Sequence, residues 1–151
     1  MKINKKLLFS VPLLIIGISM IILGARWVFS DEPWMLDKVA NEERLGISFK
    51  ELFDSNKQTL PDYLKQIYRF FGLWVIIIGG FITCFSTPRL SNNSNIRRLL
   101  FCVGIMILFG TILAYLWIPS SPFIYLSWIL IFLYSISLYV YIAKKRSDNS
   151  H

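Results

Sequence analysis

Four apolar runs, at residues 7–24, 70–86, 99–118 and 122–143, leave few folds open to a chain of 151 residues. Each approaches the ~20 residues that an α-helix needs to cross roughly 30 Å of hydrocarbon. In a bilayer, backbone N–H and C=O groups are satisfied within a helix or a closed barrel, so runs of this length read as helices. None of the four contains Asp, Glu, Lys, Arg or His. A hydrophobic share of 55% fits this reading better than it fits a soluble domain. The expected fold class is an all-α membrane protein of one domain, a four-transmembrane-helix bundle. Its spans fall at 7–25, 70–87, 99–118 and 122–143. A polar segment at 26–69 forms a small helical lid between the first two, with a loop at 88–98 and a disordered tail at 144–151.

The charge pattern orients this bundle. The net charge is +7, but the cations flank the apolar runs, and no basic face interleaved with aromatics tracks a phosphate backbone. The lipid bilayer is therefore the expected partner, and nucleic acid is not. Lys2, Lys5 and Lys6 precede the first span, Arg89, Arg97 and Arg98 lie between the second and third, and Lys144, Lys145 and Arg146 follow the fourth. Four spans put these three groups on one side, and short basic flanks favour the cytoplasm. The turn between spans three and four, Pro119-Ser120-Ser121-Pro122, carries no cation. Both termini are thus expected in the cytoplasm, at a bacterial cytoplasmic membrane, with the lid outside. The seven cations of the 26–69 segment weigh against this placement, although they are spread over 44 positions and outnumbered by eight acids. A cleaved secretory signal is the alternative for the first run. Against it, the run exceeds the usual apolar core of about 7–15 residues, and Leu23-Gly24-Ala25-Arg26 is a poor cleavage site.

Local signals divide the lid into helices. Asp31-Glu32-Pro33 places acids and a proline where a helix N-terminus favours them. Trp34, Met35, Leu36, Val39 and Ala40 then form an apolar face, while Asp37, Lys38, Glu42 and Glu43 lie largely away from it, and Gly46 supplies the stop. Ser48 and Glu51 have the spacing of a capping box, with Ile47 and Leu52 as its hydrophobic staple, which predicts a second helix over 49–54. Thr59 starts a third, in which Tyr63, Ile67, Phe70, Phe71 and Trp74 keep helical spacing into the second span. A helix over 60–86 is about 40 Å long at 1.5 Å per residue, so its lid end rises above the hydrocarbon and needs cover. The first lid helix is the expected cover.

Small residues mark where the spans meet. Ser10, Gly17 and Gly24 recur every seven positions in the first span, Gly72, Gly79 and Ser86 in the second, and Gly104 and Thr111 in the third. Recurrence at seven keeps them on one stripe of a left-handed crossing, where backbones approach closely. The fourth span has no such stripe; rich in Tyr, Phe and Ser, it packs outside the other three or turns its hydroxyls inward.

Candidate binding residues cluster at the lid end. Trp27, Trp34, Trp74, Trp117 and Trp128 all fall in that half, as an interfacial belt or as the lining of an outer pocket. Arg26 and Arg69 stand where the first two spans leave the membrane. They snorkel or pair with Asp31, Glu32 or Asp62, or else face an acidic headgroup or substrate. The candidate outer-face binding residues are accordingly Arg26, Trp34, Arg69, Trp74 and Trp128. No catalytic residue, metal or cofactor is expected. The single histidine is His151, and Cys84 and Cys102 lack C-x-x-C spacing and are expected as buried apolar fillers. Asn92-Asn93-Ser94 matches a glycosylation sequon on the cytoplasmic side, where it goes unused.

This layout, four short spans with inward basic flanks and a larger first outer segment, resembles the small four-span DoxX-like bacterial membrane proteins. The resemblance is one of topology over most of the chain and transfers no residue role or activity. The expected function is that of a non-enzymatic integral membrane protein, a binding or assembly module that meets a membrane-protein partner or a second copy through its lid. The alternative is a carrier or enzyme for a lipid or lipophilic molecule held between lid and bundle. Orientation is open to direct test in a background with Cys84 and Cys102 changed to Ser. A cysteine introduced at Ser55 is expected to react with a membrane-impermeant thiol reagent in intact cells, and one at Ser147 is not; the opposite pattern inverts the topology.

Overall fold

The first two apolar runs fold into antiparallel helices, α1 (Lys5–Phe29) and α4 (Thr59–Phe85), that meet backbone to backbone. The computed structural model describes residues 5–55, 59–86 and 93–148. Between α1 and α4 lie a 3₁₀ turn (Pro33–Asp37) and two short helices, α2 (Lys38–Leu45) and α3 (Phe49–Ser55). After them come α5 (Asn93–Trp117) and α6 (Phe123–Asp148). Helices α1, α4, α5 and α6 are long and apolar enough to cross a membrane. Their outer faces expose Leu, Ile and Phe along much of their length, a surface suited to lipid rather than water.

The small-residue stripes of the first two spans face each other. A Cβ placed on Gly17 would lie 2.8 Å from the Gly79 carbonyl oxygen, and one on Gly79 would lie 2.6 Å from that of Gly17. Gly24 and Gly72 repeat the relation, at 2.5 Å and 2.7 Å. The same register sets Ser10 level with Ser86, and both are buried. Any side chain larger than hydrogen at the four glycines would push the helices apart, with loss of the dispersion contacts of the whole seam.

The third stripe serves another purpose. Gly104 makes room for Tyr134 of α6, whose hydroxyl donates to the Leu100 carbonyl at 3.1 Å. Ser137 of α6, fully buried, donates to the Phe9 carbonyl of α1 at 2.9 Å, in the turn where Pro12 interrupts the hydrogen-bond ladder. The fourth span therefore turns hydroxyls inward, one of the two arrangements its composition allows.

Around the bundle, α4, α1, α6 and α5 follow one another, and α5 meets α4 only loosely to close the ring. The core lies in the half away from the lid. Leu13 and Ile16 of α1, Ile82 of α4, Leu100 and Val103 of α5 and Val140 of α6 make its centre. On α5 the buried Ile96, Leu100, Val103 and Ile107 keep the three-four spacing of a helix seam.

Three expectations need correction. Residues 93–98, expected in a loop, belong to α5, because burial of Ile96 on the core draws the helix back toward Asn93. The tail continues α6 through Asp148, since Lys144, Lys145 and Arg146 are good helix formers, no glycine or proline stops them, and cations suit a helix C-terminus. Cys84 and Cys102 are exposed rather than buried, because the glycine seam and the α5–α6 contact turn other faces of their helices inward. Asn92 of the sequon and Arg89 lie outside the described residues.

Gly24→Ala and Gly79→Ala are each expected to cost about 1–3 kcal/mol through overpacking. Both should lower the unfolding midpoint of the detergent-solubilised protein. Gly80→Ala, whose Cβ would meet nothing within 4 Å, should leave the midpoint unchanged or raise it.

Candidate functional site

The lid is a small aromatic core held by two helix caps. Trp34 is 5% exposed and packs edge-on to Phe53, with Phe49 beside them; the ring centroids are 5.4 Å and 6.4 Å from that of Trp34. The capping box forms as its spacing predicts. Glu51 N–H donates to Ser48 Oγ at 3.2 Å, and Ser48 N–H donates to Glu51 Oε2 at 3.1 Å. The Ser48 N–H, and then the Ser48 hydroxyl donating to the same Oε2 at 3.0 Å, hold the Glu51 carboxyl below its ordinary pKa. Gly46 adopts φ +70°, the left-handed conformation in which glycine ends a helix without strain, and its N–H donates to the Glu42 carbonyl at 2.9 Å.

The apolar face read from the sequence is rotated in the fold. Pro33 starts a 3₁₀ turn of about three residues per turn rather than 3.6. The phase drifts across it, so that Asp37, expected on the outer side, is only 8% exposed. Val39, expected inside, is 69% exposed. On α4 the lid covers Tyr68, whereas Tyr63, Ile67, Phe70, Phe71 and Trp74 remain exposed. The glycine seam decides this: turning Gly72 and Gly79 to α1 fixes which face of α4 the lid can reach.

Two sets of contacts lock the lid across the bundle. At α4, Lys65 Nζ lies 3.0 Å from Asp31 Oδ1, and Asn41 Nδ2 donates to the Tyr68 hydroxyl at 3.1 Å and to the Trp34 carbonyl at 3.2 Å. The Lys65 hydrogen bond and charge hold the Asp31 carboxyl below its ordinary pKa. At the other end, Arg44 donates to the Trp117 carbonyl at 2.9 Å, and its guanidinium carbon lies 4.1 Å from the centroid of the Trp117 ring. Ser120 in the α5–α6 turn donates to Glu43. The lid thus bridges from α4 to the α5–α6 hairpin.

Under that bridge the bundle is hollow. A cavity of about 470 Å³ fills the lid half, within the range of ~300–1,000 Å³ typical of small-molecule sites. Asp37, Asn41 and Tyr68 form its roof, and Met20, Ile107 and Leu130 lie at its floor. Gly110, Leu113 and Phe71 of its wall are exposed, so it opens on the side where α4 and α5 separate. The walls are mostly apolar, with Ser19 and Ser127 among them, and three lining residues each hold a buried polar atom without a hydrogen-bond partner: Trp27 Nε1, Asp37 Oδ1 and Thr111 Oγ1. Leaving such groups unpaired in a low-dielectric site is costly, most of all for a carboxylate. Asp37 stands at the N-cap of α2 but makes no side-chain cap bond, so its carboxylate is not spent on the helix end. Trp27 is held between Phe71 and Phe123, with ring centroids at 4.9 Å and 5.5 Å.

The five candidate binding residues take other places. Trp34 is in the lid core, and Arg26 and Arg69 are exposed. Trp74 is exposed beside Phe70, and Trp128 is exposed with its Nε1 donating to the Tyr115 hydroxyl at 3.0 Å. None of them lines the cavity, whereas Trp27 and Trp117 do. Trp27 and Trp117 belonged to the skewed tryptophan set, which was the usable signal. Asp37 had none, because its burial depends on the short 3₁₀ turn. Comparison of the chain with protein-family models, curated proteins and solved structures finds no match.

Asp31 and Glu51 both have depressed folded-state pKa values, so their contribution to lid docking is complete above the ordinary carboxylate range and is lost as pH falls through the depressed values. Hydrogen-exchange protection of the 38–55 amides, corrected for intrinsic rates, should therefore stay flat from neutral pH to that range and drop below it. Lys65→Ala should remove the Asp31 part of the drop.

Proposed function

We propose that this chain is an integral membrane protein that binds a lipophilic small molecule in the cavity between lid and bundle. The carrying observation is the coincidence of a mostly apolar hollow with three lining residues, Trp27, Asp37 and Thr111, that each hold a buried polar atom without a partner. An apolar chamber with a few polar groups at one end suits a molecule of the same pattern, a greasy body with a polar end. Along α5 the wall runs from Ile118 to Met106, about 18 Å at 1.5 Å per residue, long enough for an extended hydrocarbon chain. In this reading the termini face the cytoplasm, as the three basic flanks favour, and the opening between α4 and α5 faces the outer leaflet. The layout shared with DoxX-like proteins supplies no ligand, so the ligand class rests on the cavity alone.

A second reading, assembly through the lid, has its own observation. Met35, Val39, Leu45 and Ile47 are exposed apolar residues on the lid, a surface that a membrane-protein partner or a second copy would cover.

Native mass spectrometry separates the two. Purified protein is expected to carry a lipophilic adduct, retained in Gly80→Phe and lost in Gly110→Phe. Neither glycine would crowd a new Cβ, but only Gly110 lines the cavity. Equal occupancy in all three proteins, or no adduct in any, overturns the cavity reading. A stoichiometric protein partner released by Val39→Asp would then support assembly.

A further inference from the structure

Resting on the cavity reading, we infer that the polar end of the occupant is a protonated amine, making the ligand an alkylammonium amphiphile, bound with its cation against Asp37 and the aromatic rings around Trp27. Charge is the first argument. Asp37 is the only charged residue among the described residues that line the cavity, and it is buried with Oδ1 unpartnered. An anionic head, such as a fatty acid carboxylate or a phosphate, would meet this carboxylate with no lysine or arginine in the wall to offset it. The nearby Arg44 already gives a hydrogen bond to the Trp117 carbonyl and stacks on its indole.

The rings are the second argument. Trp27, Phe71 and Phe123 stand together, and Tyr68 and Trp117 complete the aromatic lining near the roof. Aromatic faces carry negative charge density and attract organic cations, most strongly when water is excluded. A carboxylate beside the faces of Trp27, Phe71, Phe123 and Tyr68 thus favours a cation, while the Trp117 ring already carries the Arg44 guanidinium. An ammonium group at the roof would give the Asp37 carboxylate a partner of opposite charge, an interaction stronger than one with a neutral hydroxyl.

Position is the third argument. Asp37, Asn41 and Tyr68 sit at the lid end, whereas the floor is Met20, Ile107 and Leu130. An amphiphile entering between α4 and α5 can therefore keep its head near the roof while its chain descends the hollow.

The test uses the full-length detergent-solubilised protein at neutral pH, titrated with dodecylamine, dodecanol and dodecanoate and followed by native mass spectrometry. Dodecylammonium is expected to bind roughly tenfold or more tightly than dodecanol, and dodecanoate most weakly. Asp37→Asn should erase the amine preference while dodecanol still binds. Gly110→Phe should weaken amine and alcohol together. Equal affinity for the amine and the alcohol, tighter binding of dodecanoate, an amine preference that survives Asp37→Asn, or amine binding undiminished by Gly110→Phe overturns this inference. In each of those cases dodecanol binding blocked by Gly110→Phe leaves the cavity reading standing. Failure of all three compounds to bind overturns both.

Discussion

Close approach of two backbones, at Gly17 with Gly79 and Gly24 with Gly72, sets the rotation of α4, and the remaining architecture follows from that rotation. Once the glycine stripe of α4 is committed to α1, Tyr68 is the face the lid can reach, the bulky Phe70 and Trp74 are left on the outer surface, and Phe71 stands in the exposed part of the cavity wall. A seam between small residues brings little side-chain volume to the middle of the bundle. Large residues fill that middle at the end away from the lid, where Leu13, Ile16 and Ile82 meet Leu100 and Val103 of α5 and Val140 of α6.

The cavity is kept by the structures that span it. Arg44 on the Trp117 ring, Ser120 on Glu43, Lys65 with Asp31 and Asn41 with Tyr68 pin the lid at two sides of the bundle. Each contact is partly exposed and individually modest. Together they hold Asp37 at the roof of the cavity, where its Oδ1 has no hydrogen-bond partner within the protein. Trp27, between two phenyl rings, likewise has its N–H without a hydrogen-bond partner within the protein.

Much of the fold could be read from residue order because its determinants are local or periodic. Apolar length named the four long helices, seven-residue spacing named the seam, and Ser48 with Glu51 named the cap of α3. The lining of the cavity was less legible. Arg26, Arg69, Trp74 and Trp128 drew attention as charged or aromatic residues at the lid end, yet all four are exposed and none lines the cavity. A side chain's chemistry states what it can bind, while its facing depends on helix rotation, and rotation is settled by contacts between segments far apart in the chain.

Sequence alone determined that this protein is built of helices long and apolar enough to cross a membrane, joined by a capped helical lid, since hydrogen-bond saturation and apolar run length act within each segment. Tertiary structure alone decided that Gly104 receives Tyr134, that a single 3₁₀ turn carries Asp37 inward and Val39 outward, and that the lid half is hollow. Those outcomes depend on which helix faces meet, a matter of close approach and volume that no single segment encodes.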